Sequence, residues 1–189
     1  MVLLVLMLTA FVASLGGGLA MLGHTERRIA TAHVRTVQTG YAAGAAAHLG
    51  VAMVSQALDS TRWPSAGMVP SLGSVSRVMA IPAGDPVDLD ARTAELNRDA
   101  SRRWPLGADT PRWRLAGWGR LPQWPPSSPR VTVWVADDVM DADGVPGEDS
   151  NGVLMIRAEA FGPRSAARAV VAHVRREPGG VRMLSWREE

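Results

Sequence analysis

The sequence predicts an α+β fold in which one long N-terminal helix packs on a C-terminal antiparallel β-sheet. Three observations carry that expectation. The first twenty-three residues, MVLLVLMLTAFVASLGGGLAMLG, hold no charge. The chain then continues without proline through Leu58, rich in Ala, Val, Met, Arg and Gln. Beyond Pro129, four β-branched or alternating runs follow one another at hairpin spacing.

The uncharged run exceeds the roughly 18 residues at which a membrane span becomes the default reading. As a helix, residues 1–23 reach ~34 Å, enough to cross the hydrocarbon with some tilt. Leu3, Leu4, Leu6, Leu8, Phe11, Val12 and Leu15 leave no polar face. Gly16, Gly17 and Gly18 would weaken a helix in water, but membrane helices tolerate such residues and use them for close approach. A cleaved export signal fits less well. It has a basic segment before the apolar run and a small-x-small cleavage site, whereas here only Ser14 and Gly16 offer such a pattern. Arg27, Arg28 and Arg35 follow the run and nothing basic precedes it. By the positive-inside rule that distribution places the following domain in the cytoplasm, so a periplasmic domain implies either a basic leader upstream of Met1 or translocation by a dedicated route.

Residues 24–58 continue the helix as its soluble half. Ile29, His33, Val37, Tyr41, Ala45, Leu49, Met53 and Leu58 recur at the spacing of one helical face, and this face is expected to lie under the head. Gly40, Gly44 and Gly50 each cost ~1 kcal/mol of helix propensity against Ala and mark places where the rod could bend. Spans 1–23 and 24–58 together give a rod of ~85 Å.

Residues 59–129 read as an irregular part of the head, holding most of the Pro and Trp. Trp63-Pro64, Ile81-Pro82, Asp85-Pro86 and Trp104-Pro105 punctuate it as turns. One short helix is expected over 90–103, capped by Asp90, with Leu96 on its buried side. The stretch RRWPLGADTPRWRLAGWGRLPQW alternates Arg102, Arg103, Arg112, Arg114 and Arg120 with Trp104, Trp113, Trp118 and Trp124. Arginine neutralises phosphate and tryptophan stacks on bases, so a nucleic-acid groove is one reading. The other is a small core plugged by Trp, with the Arg stems lying over it.

Residues 130–189 carry the sheet. Strands are expected over 130–136, 152–160, 166–175 and 181–186, with turns at Phe161-Gly162-Pro163 and Glu177-Pro178-Gly179-Gly180. Such short links suit hairpins, so the sheet should be antiparallel. Leu154, Ile156, Val170, Val174, Leu184 and Trp186 form the face expected to cover the helix. The loop 137–151 gathers Asp137, Asp138, Asp141, Asp143, Glu148, Asp149 and Asn151. Calcium takes six to eight oxygen ligands, so the loop is a candidate Ca²⁺ site. EF-hand spacing fails, however. With Gly144 at position six, Val139 occupies position one and Ser150 stands where a Glu belongs. A solvated polar turn is the alternative.

Composition excludes several classes of function. Cysteine is absent, which removes disulfides, thiolate metal sites and a cysteine nucleophile. All twenty basic residues are Arg, and net charge is +2. The high isoelectric point therefore follows from arginine's high pKa and not from a strong overall field. His24, His33, His48 and His173 show no metal-ligand spacing. Ser65, Ser71, Ser74 and Ser76 lack a nucleophile-elbow context, and paired carboxylates occur only in the 137–151 loop. The sequence thus assigns no catalytic residue, cofactor or metal ligand, and an enzyme is not expected.

The segment LVLMLTAFVASLGGGLAMLGHTERRIATAHVRTVQTGYAAGAAAHLGVAMVSQAL resembles the N-terminal region of PilX-type minor pilins of the type IV pilus assembly machinery. Thr25, Arg28, Ile29 and Ala30 match one family element, and Tyr41, Ala42, Ala43 and Ala45 a second, whose acidic position is Gly44 here. The tract 131–188 resembles the head of longer members more loosely. Prepilins also carry a basic leader ending in Gly and a Glu five residues into the mature helix. Neither stands before Val2, so a leader further upstream is the expectation if the chain is processed in that way.

The resemblance implies a pilin-like fold and a structural role in assembling or priming a type IV pilus or a related secretion filament. It implies other major and minor pilins as partners through the helix, together with the inner-membrane assembly platform. The chain would span the bacterial inner membrane once, with its head in the periplasm, and reach the pilus or cell surface after assembly. The competing readings are an anchored or exported binding module for DNA or an extracellular surface, and a plain membrane-anchored domain.

Overall fold

A computed structural model describes residues 1–56, 77–104, 110–141 and 149–189. Leu58, the Trp63-Pro64 turn, Pro105, the four serines Ser65, Ser71, Ser74 and Ser76, and the loop residues Asp143 and Glu148 lie outside them. The first element, α1, is one uninterrupted helix, Val2–Gln56, ~83 Å long. It runs through all of its glycines. Thr9, Thr25, Thr31 and Thr39 each donate a side-chain hydrogen bond to the carbonyl four residues back.

Five strands form the main sheet: β3 (Arg114–Gly119), β4 (Arg130–Asp137), β5 (Val153–Phe161), β6 (Ala167–Glu177) and β7 (Gly180–Glu188). They pair in chain order and every pairing is antiparallel. The fold class is therefore the α+β arrangement that the sequence predicts. Strand β3 was not among the expected strands. Its Arg-Leu-Ala-Gly-Trp-Gly holds two glycines and a bulge between Leu115 and Gly117, which breaks the alternation that marks a strand. Hence 59–129 is less irregular than its composition suggests.

The last third of α1 lies on one face of the sheet. Its buried residues are Thr39, Ala42, Ala43, Ala46, Ala47, Gly50 and Val54. They pack on Val131, Val133, Val135, Leu154, Ile156, Ala158, Ala160, Val170 and Val174. The expected helix face is thus displaced. Tyr41 is 72% exposed and Ile29 65%, while Ala45, Leu49 and Met53 flank the contact. Steric room explains this. A Cβ on Gly50 would stand 2.7 Å from Ile156 Cγ2 and 3.0 Å from Val133 Cγ1, so only the stripe of small residues can approach the sheet.

Leu154, Ile156, Val170 and Val174 are buried as expected, but Leu184 is not. The β6–β7 register shifts between His173 and Val174, pairing them with Ser185 and Met183. That leaves Leu184 as the extra, exposed residue. Trp186 remains part-exposed and meets α1 beside Gly44 and through His48, at 5.3 Å between ring centroids.

The opposite face of the sheet is covered by α2 (Leu89–Arg103) and by the short ribbon of β1 (Val78–Met79) and β2 (Val87–Asp88). The Ile81-Pro82 and Asp85-Pro86 pairs both fall in the link between those two strands. Asp88, not Asp90, caps α2, its carboxylate accepting from the Asp90 and Ala91 amides at 3.0 and 2.9 Å. The helix starts one residue earlier than expected because Leu89 is wanted in the core, where it is fully buried. Leu89, Leu96, Ala100, Trp113, Leu115, Trp134 and Met155 pack together here. Trp134 Nε1 donates to Thr93 Oγ1 at 2.9 Å, and Asn97 exchanges two hydrogen bonds with the Trp113 backbone.

Beside this core sits a buried carboxylate. Glu159 accepts from Arg92 Nε and Nη2 at 3.0 and 2.7 Å and from Arg157 Nε at 2.7 Å. Its hydrogen bond and charge outweigh the desolvation of Arg92 and hold that guanidinium above its ordinary value. Arg92 in turn hydrogen-bonds Glu95, keeping its carboxyl below the usual range. Arg157 reaches Glu189 at the end of the chain.

Three stability changes follow, all measured by thermal unfolding of the full chain in detergent. Gly50→Val lowers stability by about 1–3 kcal/mol through overpacking. Gly40→Ala, with nothing within 4 Å of its Cβ, raises it by ~0.5–1 kcal/mol. Glu159→Gln costs roughly 2 kcal/mol, because two guanidinium groups lose a charged acceptor while keeping Glu95 and Glu189.

Candidate functional site

The largest feature without a partner is the first part of α1. Every residue from Met1 to Val34 is exposed, and the large apolar side chains from Val2 to Leu22 are each at least 53% exposed. This segment is long and apolar enough to cross a membrane. Water is a poor neighbour for it. Each large apolar side chain gains about 1.5–3 kcal/mol on leaving water, so the bare rod favours lipid or other apolar helices.

Where the rod meets the head, the two resemblance elements take different places. Thr25, Arg28, Ile29 and Ala30 are exposed, whereas Ala42 and Ala43 are fully buried beneath the sheet. Tyr41 stands on the rim of a groove of about 670 Å³ between α1 and β7, with Gly44 and His48 on one side and Arg168, Trp186 and Glu188 on the other. A Cβ on Gly44 would lie 3.7 Å from the Trp186 ring. The indole is thus an ordinary van der Waals neighbour of that position.

The β4–β5 link brings three of its acids together. Asp137, Asp141 and Asp149 each present a carboxylate oxygen, and these lie within 4.8 Å of one another. Other members of the link satisfy its backbone. Asp138 Oδ2 accepts from the Met140 amide at 3.1 Å, and Asp138 Oδ1 from Asn151 Nδ2 at 2.7 Å. Asp141 Oδ2 accepts from the Ser150 amide at 2.6 Å, and Asp149 Oδ1 from the Gly152 amide at 2.6 Å. Gly152 turns the chain with φ +77°, and Asp149 is also paired with Arg176.

The loop is thus a hydrogen-bonded cap on the sheet. Among the described residues its three convergent carboxylates offer hard oxygens of the type Ca²⁺ takes. Burial pushes the Asp137 carboxyl up to about 7, with the charges of Asp141, Asp149 and Asp138 adding to the rise and the Asp138 amide opposing it.

The Arg/Trp stretch separates its two residue types. Trp113 is buried, Trp104 and Trp118 pack against the same core, and Trp124 packs against the α1 core. Arg77 lies over the Trp118 ring at 5.4 Å and Arg103 over Trp104 at 5.5 Å. The indole Nε1 of Trp118 is buried without a hydrogen-bond partner among the described residues. Arg102, Arg103, Arg112, Arg114 and Arg120 are exposed. These rings serve the core, and Trp113 presents no face on which a base could stack. His173 does not face open solvent. It is half-buried across from Ser185, 2.7 Å from that hydroxyl, and burial lowers its pKa.

Asp137 gives the head a defined pH response. Between about 4 and 7 the folded chain holds a proton that the unfolded chain releases, so this group's contribution to stability falls as pH rises through that window. Asp137→Asn should raise the melting temperature at pH 8 and change it little at pH 4. Titrating Ca²⁺ at pH 8 tests the cluster further. A shift in the native chain that Asp137→Asn abolishes identifies a cation site, and no shift leaves the loop as a hydrogen-bonded cap.

No family model, no characterised protein and no solved structure matches this chain.

Proposed function

We propose that the chain is a pilin-like structural component, a minor pilin that takes part in assembling or priming a type IV pilus or a related secretion filament. One observation carries this reading. A single continuous helix is bare and apolar over its first half and sunk beneath an antiparallel sheet over its last third. A helix built only to anchor a domain needs no rigid continuation into the core of that domain. A helix that must hold a head at a fixed distance from a packed bundle does.

On this reading the apolar half lies in the bacterial inner membrane before assembly and among the helices of other pilins afterwards. The exchange is inexpensive because neither surrounding contains water, and Gly16, Gly17 and Gly18 allow close approach. The head is then periplasmic, and the partners are other pilins and the inner-membrane assembly platform. The chain performs no chemistry of its own. The second reading, an anchored module that binds DNA or an extracellular surface, shares the span but requires no lateral helix contacts.

The absence of cysteine makes the test direct, since any introduced thiol is unique. Leu8→Cys and Ala13→Cys should crosslink to cysteine-bearing pilin helices in assembling cells, whereas Arg102→Cys, at the far end of α2, should not. A chain recovered only as free monomer in the membrane, with no crosslink at either helix position, would sink the filament reading and leave the anchored module.

A further inference from the structure

Four arginines converge at the base of the head. Arg27, Arg28 and Arg35 project from α1, and Arg164 arrives from the turn between β5 and β6, so that all four line one cleft of about 540 Å³. Ile29 and Thr31 share its wall. Among the described residues none of the four arginines forms an ion pair. Other head arginines, among them Arg92, Arg157, Arg176 and Arg182, are matched to carboxylates.

The turn that delivers Arg164 is held, not loose. Its residue lies in the left-handed region, at φ 56° and ψ 45°, where residues with a Cβ are uncommon. The Arg164 amide donates to the Ala83 carbonyl at 3.2 Å, and the Gly162 amide donates to the Ala166 carbonyl at 2.7 Å. Thr39 fills the space beside Gly162, where a Cβ would stand 2.6 Å from its hydroxyl. An outlying backbone conformation over-determined by its surroundings is a pointer to function, and here it places one more cation beside three others.

Position completes the case. Arg27 and Arg28 stand four and five residues beyond Gly23, ~6–8 Å further along the axis, at the depth of the headgroup layer outside a bilayer's hydrocarbon, and Arg35, ~18 Å out, marks the outer end of the cleft. Resting on the membrane-span reading of α1, we infer that this cleft binds the phosphate headgroup of an anionic phospholipid in the leaflet that faces the head. Guanidinium groups bind phosphate oxygens in a bidentate manner. Exposed Ile29 beside them suits an amphiphile better than a free anion. The cleft seats the head on the membrane surface and fixes how far the rod stands out of it.

The test uses the full chain reconstituted into vesicles of phosphatidylcholine alone and of phosphatidylcholine mixed with phosphatidylglycerol. Resistance to alkaline extraction from both reports the span, and mass spectrometry of lipid retained by the purified protein reports the cleft. The native chain should enrich phosphatidylglycerol over phosphatidylcholine. Arg164→Gln should lower that enrichment about fivefold, while Arg164→Lys, which keeps the charge but loses the bidentate fork, recovers only part of it. Inorganic phosphate should not displace the lipid. Equal retention of the two lipids, an unchanged Arg164→Gln, or displacement by inorganic phosphate would each overturn the headgroup site while extraction resistance upholds the span. Release from neutral vesicles by alkali would instead refute the span, and the site with it.

Discussion

The structure depends on how closely α1 can lie against the sheet. Ala42, Ala43, Ala46, Ala47 and Gly50 give the helix an almost smooth stripe, and the bulk of the interface comes from the strands. Val131, Val133 and Ile156 reach into the space that larger helix residues would have occupied, so close that Gly50 has no room for a methyl group. This division of labour has a consequence for the rest of the helix. A stripe of small residues gains little hydrophobic energy by itself, so the sheet must be rigid enough to hold its side chains against it.

Rigidity comes from the other face. Strands β3 to β5 are backed by α2 and its Trp-rich surroundings, which leaves β4 buried over almost its whole length. Trp134 is fully buried and hydrogen-bonded to α2 through Thr93, and Asn97 ties α2 to the segment leading into β3. Glu159 draws Arg92 of α2 and Arg157 of its own strand to one carboxylate, and Arg157 fastens the last residue of the chain. The sheet is thus a middle layer with a long helix on one side and a short one on the other.

This layering explains which features the sequence reveals. Strands β4 to β7 are legible because β-branched runs alternate between Gly and Pro turns, and the long helix is legible because neither a proline nor a charge run interrupts its first half. The buried face of α1 is not. Periodicity follows large residues such as Ile29, Val37 and Tyr41, whereas contact with a sheet selects the small ones, which hydrophobic pattern reading scarcely registers. Strand β3 was hidden by its glycines and its bulge. The placement of Leu184 depends on a one-residue shift between β6 and β7 that composition cannot encode.

The acidic loop was visible as a concentration of charge. Its main work, satisfying the backbone amides between β4 and β5, depends on the fold. Arg164 is the hardest case, since nothing local to Phe161-Gly162-Pro163 announces that the turn will reach α1.

Taken together, these contacts divide one helix between two jobs. Residues up to Val34 are exposed, whereas one stripe from Thr39 to Val54 is buried in the head. The head's contacts with α1 would therefore survive a change of surroundings around the apolar half, because that half supplies none of them. Lipid and a bundle of neighbouring rods are close in polarity, so moving between them costs little, while moving into water would expose the whole greasy surface. An apolar rod of this kind, joined without a break to a head whose core it helps to form, favours dry surroundings over water along its first half. The arginines just beyond Gly23 mark the end of the uncharged run.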